Sequence, residues 1–190
     1  MANTNAPFGF RQYRGLGSAP NYEQSVRLIK SDDSTAGYFG DPLSNLNTGY
    51  ITRATAGTAQ ITGIFAGCKY LSTSQKRTVW SNWWPGADNN GNVEAYIIND
   101  PNAKFVAQFG NVSVAQSYIN SGVGFNIGSG NTASGISGAY LATLATDSSM
   151  PFKVVALVTD PPGANGTESG AYQKAIVAFN NVSTKQLTGI

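Results

Sequence analysis

The sequence predicts an all-β fold: a small β-barrel or sandwich behind an extended N-terminal arm, with at most one short helix. Three observations predict it. Asn, Gln, Ser and Thr supply 60 of the 190 residues and Gly another 22, a composition that favours turns over long helices. The apolar residues, 41% of the chain, fall in short alternating runs bounded by Gly, Pro, Asn and Asp, which is the period-2 pattern of half-buried strands. Three Trp, nine Tyr and nine Phe give the chain enough to bury, unlike a disordered polar chain.

Residues 1–30 read as the arm. Pro7, Gly9, Gly15, Gly17 and Pro20 break any period there. Arg11, Arg14, Arg27 and Lys30 oppose one acid, Glu23, and interleave with Phe8, Phe10, Tyr13 and Tyr22. The expectation is an extended arm that ends in a strand near 25–30, with its aromatics docked on a protein neighbour. Residues 31–190 form the barrel-like domain. Its first strand, 35–39, stops at Gly40-Asp41-Pro42, and 48–55 alternates cleanly. Residues 60–71 are apolar on both faces and therefore central, and glycines on one face call for a bend or a close backbone approach. A strand over 78–84 carries Trp80, Trp83 and Trp84, and Asn89-Asn90-Gly91-Asn92 is a hairpin signal. Strands follow over 93–98 and 104–109, then the one expected helix over 112–119. Strands over 123–127, 138–145, 152–159 and 174–179 complete the list, the last two separated by a Pro- and Gly-rich loop. No internal repeat is legible.

Charge excludes several functions. Twelve basic and ten acidic side chains leave a net charge of +2, too small for binding nucleic acid by counterion release and without a polybasic membrane patch. The chain has no histidine, which removes Ser-His-Asp and Cys-His mechanisms. A single cysteine, Cys68, permits neither an intrachain disulfide nor a cysteine-cluster zinc site, and reads as a small buried hydrophobe. No apolar run is long enough to span a membrane, and the first residues lack a signal-peptide pattern. The expected setting is a reducing cytoplasm. Between residues 105 and 149 the only charge is Asp147, which suits either an interface core or a neutral loop system.

Each chemical motif has a plainer reading. Asp88-Asn89-Asn90-Gly91-Asn92-Val93-Glu94 resembles the start of a calcium loop, but its sixth residue is Val93 and its twelfth is Asn99, so it reads as a hairpin tip. Gly128-Ser129-Gly130-Asn131-Thr132-Ala133 matches a loose dinucleotide fingerprint outside any strand–helix–strand unit. Asp32 and Asp33, adjacent on an extended chain, point to opposite faces and make no glycosidase pair. Trp83-Trp84 offers a sugar-stacking platform; the plainer reading has one ring in the core and the other on a partner. Three Asn-X-Ser/Thr triplets, at Asn111, Asn165 and Asn181, are incidental without export. No cofactor and no metal is expected.

Several phrases in order carry a resemblance. They are Ala6-Pro7-Phe8-Gly9-Phe10-Arg11, Tyr38-Phe39-Gly40-Asp41-Pro42, Thr48-Gly49-Tyr50-Ile51, Gly63-Ile64-Phe65-Ala66-Gly67-Cys68-Lys69-Tyr70, Ala95-Tyr96-Ile97-Ile98-Asn99-Asp100-Pro101, Pro151-Phe152-Lys153-Val154-Val155 and Ile176-Val177-Ala178-Phe179-Asn180-Asn181. Together they resemble the capsid cement, or head-decoration, proteins of tailed bacteriophages. The resemblance implies a non-enzymatic virion protein, made in the host bacterial cytoplasm, that sits on the outer capsid as an oligomer, a trimer matching the local three-fold points. It implies the major capsid protein and copies of itself as partners, with no nucleic acid and no membrane. Phe8, Phe10, Arg11, Tyr13, Arg14, Tyr22, Trp83 and Trp84 are then the expected contact residues. The rival expectation is a receptor- or glycan-binding β module of a virion.

Overall fold

Alternating burial shapes the long strands, and a computed structural model shows how they close. It describes residues 3–14, 24–145, 149–159 and 170–185. The strands are β1 (Arg11–Arg14), β2 (Ser25–Ile29), β3 (Gly37–Tyr38), β4 (Pro42–Asn45), β5 (Ile51–Arg53), β6 (Gly63–Leu71), β7 (Thr78–Ser81), β8 (Trp83–Trp84), β9 (Val93–Ile98), β10 (Lys104–Gln108), β11 (Gly122–Asn126), β12 (Tyr140–Ala145), β13 (Phe152–Leu157) and β14 (Lys174–Phe179). The fold is all-β. The expected helix over 112–119 reduces to a single 3-10 turn at Gln116–Tyr118. Val114 is instead buried in the core and bridges to Gly170, where a β-branched side chain is at home.

The strands make two barrels. In the first, the order is β4-β5-β2-β9-β6, and β6 returns to β4. Every neighbour is antiparallel except β2 and β5, which meet in parallel at Ile29 and Ile51. In the second, the order is β10-β14-β13-β11-β12, and Phe109 meets Leu141 in parallel to close the ring. Each barrel has its own core. Leu43, Ile51, Phe65, Ala95 and Ile97 fill the first; Phe105, Phe109, Phe125, Phe152 and Phe179 fill the second.

The two barrels share one topology down to the register. Strands β2, β4, β5, β6 and β9 of the first correspond in chain order to β10, β11, β12, β13 and β14 of the second. Ile97 pairs with Ser25 and Phe65 in the first barrel, as Val177 pairs with Phe105 and Val154 in the second. The β6–β9 pairing is broken by a bulge between Phe65 and Gly67, and β13–β14 by one between Val154 and Ala156, the same place. Ile29 and Phe109 are equivalent by this register, and each is the residue that closes its barrel in parallel. The chain is thus a structural duplication. Val26 and Val106, and Ala95 and Ala175, keep the same residue; most other equivalent positions differ.

A shared apolar seam joins the barrels. Ala54, Ile61, Ile64 and Ile98, from the first, are buried in the second barrel's cluster. The β11–β12 loop adds polar ties: Phe39 N–H donates to Gly135 O (2.9 Å) and Ser137 N–H to Phe39 O (3.0 Å). Ser137 Oγ donates to Asp41 Oδ1 at 2.5 Å. This places the charge-poor stretch. Its strands supply the second core, and its neutral loop rests on the first barrel. Gly130, from the dinucleotide-like phrase, lies so close to the Tyr38 ring that a Cβ there would enter it.

Several expectations are corrected. The two barrels do not part at residue 30: the first is built from strands between β2 and β9, and the second from β10 to β14 with β1 added. The N-terminal segment is part of the second barrel, because β1 pairs antiparallel with β10 and Phe10 stacks on Phe152 (4.3 Å, 13°) inside the core. The end of the expected arm near 25–30 is β2, a barrel strand. Asn89–Asn92 does not cap a hairpin: Asn89 bridges to Ser72, and β8 pairs with β3. Residues 160–166 lie outside the described residues.

Candidate interaction surface

The N-terminal segment shows what one barrel face can hold. Strand β10 turns Gln108 outward, where residues 3–6 cover it. Its Oε1 accepts from Ala6 N–H (2.9 Å), and its Nε2 donates to Thr4 O (2.8 Å) and Tyr172 O (3.0 Å). Asn3 Nδ2 donates to Gln173 Oε1 (3.1 Å). Phe8 lies half-buried, with the Arg11 guanidinium 5.3 Å and the Lys174 ammonium 5.7 Å from its ring centroid. The chain then enters β1 and pairs along β10 from Arg11 opposite Val106 to Arg14 opposite Lys104.

The expected contact residues therefore separate. Phe10 and Trp84 are interior, at 1% and 0% exposure, and offer nothing to a partner. Phe8 and Arg11 stack on each other over the second barrel. Tyr13 is exposed on β1, Arg14 ends that strand, and Tyr22 lies outside the described residues. Trp83 stacks flat on Tyr38 (5.6 Å, 5°) and Trp84 packs edge-on against Tyr70 (5.0 Å), so this pair is no open sugar platform.

Among the described residues most of the exposed apolar surface is on the first barrel, at residues outside the expected contact set. Period 2 turns Val26 and Leu28 of β2 to the outside, with Glu94 and Tyr96 of β9, Lys69 of β6 and Trp80 of β7. In register, Leu28 lies opposite Glu94, Glu94 opposite Lys69 and Lys69 opposite Trp80, forming a row across four strands. Trp80 is 67% exposed, Val26 54% and Leu28 41%. Trp80 stacks on Tyr96 (5.7 Å, 9°), and the Lys69 ammonium sits 5.3 Å from its centroid. Lys69 also bonds Glu94 Oε2 at 2.8 Å, so the only charges in the row neutralise each other. The signal legible in the sequence is alternation: Trp80 falls on the outward phase of a short edge strand.

The titratable groups do structural work. Asp88 accepts from Ser72 Oγ, Ser74 N–H, Thr73 Oγ1 and Ser74 Oγ, and these bonds, that of Ser72 foremost, hold its carboxyl down at about 2. It caps the β6–β7 turn. Burial pushes the Asp41 carboxyl above its usual range, opposed by the bonds from Ser137 and Tyr38 N–H. Burial likewise pushes the Cys68 thiol up to about 12, leaving it protonated and a poor nucleophile. Among the described residues no three of His, Cys, Asp and Glu gather as a metal site. The phrases that carry the family resemblance lie mostly on framework elements: β6, β9, β14 and the Asp41 tie. No protein-family model, curated protein or solved structure matches the chain.

Proposed function

We propose that the protein is a structural virion component that binds the outer surface of a bacteriophage capsid and cements neighbouring major capsid protein subunits. The observation that carries this reading is the exposed surface of Val26, Leu28 and Trp80, with the half-buried Tyr96 beneath Trp80, on the outside of the first barrel. Contiguous apolar surface on a stable scaffold marks a docking face rather than a reaction site. The phage-cement resemblance supplies the partner class. Copies meet one another around the local three-fold points, where low net charge permits close approach.

The test is co-sedimentation with heads of the encoding phage prepared without this protein. The expected result is saturable binding at a copy number fixed by the lattice and retained in high salt, because screening weakens exposed charge pairs and spares apolar contact. Failure to bind contradicts the reading. The rival glycan-binding reading moves from Trp83 and Trp84 to Trp80, and titration with cell-surface oligosaccharides tests it.

A further inference from the structure

We infer that the outer face of the first barrel takes an extended segment of the coat protein, added as a strand antiparallel to β2. The inference rests on the function proposed above and names the site and the form of the partner. It comes from the duplication. On the second barrel, the edge of β10 carries β1, and the face beside it carries residues 3–8. The register makes Ser25 and Val26 the counterparts of Phe105 and Val106, the β10 residues opposite β1. Yet β5 reaches β2 only at Ile29, and no other described strand occupies that edge. Strand addition to such an edge is a recurrent way of binding a peptide.

The side chains say what differs between the two occupants. The counterpart of Gln108, whose amide reads the backbone of Thr4 and Ala6, is Leu28, exposed and unable to do so. The counterpart of Lys174, which lies over Phe8, is Glu94, neutralised by Lys69. The first barrel therefore asks for apolar side chains at alternate positions, set over Val26, Leu28 and the Trp80–Tyr96 stack. This chain's own residues 3–14 are engaged on the second barrel, and the occupant is the coat-protein segment that the function proposed above calls for.

The experiment measures hydrogen exchange of the full chain, free and bound to heads, and head affinity of V26K and W80A. Both substitutions are at exposed positions. Amides of 25–28 should slow at least tenfold on binding, a paired edge being closed to solvent. W80A should bind roughly thirty-fold more weakly, as for a central aromatic anchor, and V26K should weaken binding comparably. Unchanged exchange at 25–28, with both variants binding like the original, overturns the inference and leaves the cement function standing. If the unaltered chain does not bind heads, both fall. Loss of oligosaccharide binding in W80A with head binding intact assigns the face to glycans and overturns the inference.

Discussion

Phe10 carries the N-terminal segment into the second core. Its ring stacks on Phe152 and meets Phe125 edge-on, with Gly9 at φ +72 turning the chain inward beneath Ser137. Replacing Phe10 by Ala should cost about 3–5 kcal/mol, read as a lower midpoint in chemical denaturation; a change below ~0.5 kcal/mol, typical of a surface site, would put the segment outside the core. Asp88 sets a pH dependence. Its folded pKa, about 2, lies below the ordinary 3.8, so its contribution is complete above pH 4 and is lost as pH falls between those values. D88N should be less stable than the original at neutral pH, and the gap should narrow below pH 3. Asp41 acts in the opposite sense: its raised pKa means that protonation on acidification favours the folded state. Of the expected contact residues Phe10 and Trp84 lie inside, because aromatic content marks burial and binding alike, whereas Trp80 stays out.

Strands with strict alternation were legible. The expected spans over 93–98, 104–109 and 174–179 fall on β9, β10 and β14 almost to the residue. Strand β4 was missed because it opens with Pro42, which reads as a stop; Pro is tolerated at the first residue of a strand. Strand β1 was missed because glycines flank it and its apolar payload, Phe10, precedes it. The duplication was invisible because it lives in pairing register and bulge position, not in residue identity. The two equivalent bulges show this. Gly67 has φ +131 and a would-be Cβ 3.0 Å from Ser81 O, whereas its counterpart is Ala156. G67A should therefore destabilise by about 1–3 kcal/mol through strain, and A156G by only about 0.5–1 kcal/mol. Equal effects in thermal melts would deny that the bulges impose different local demands. Deleting residues 1–24 removes β1 and Phe10, so the truncated chain should melt well below the original or fail to fold, a stability measurement independent of head binding.

At the scale of the molecule, the seam decides how the barrels behave. Ile61, Ile64 and Ile98 belong to the first barrel's segment yet are buried in the second barrel's cluster, and a large apolar interface couples domains. F65A in the first core and F105A in the second should each lower one common transition by about 3–5 kcal/mol, with calorimetric and van't Hoff enthalpies equal. Two separable transitions would show that the barrels fold independently. The duplication also sets the two faces against each other: among the described residues, 3–14 cover the face of the second barrel and none covers the equivalent face of the first. The measurement that bears most directly on this account is an electron-microscopy map of intact heads carrying the protein. The expected map has density over coat-subunit junctions, with the β2–β9–β6–β7 face turned to the shell and an added strand along β2. Heads without such density, or with Trp80 and Val26 turned to solvent, would contradict it.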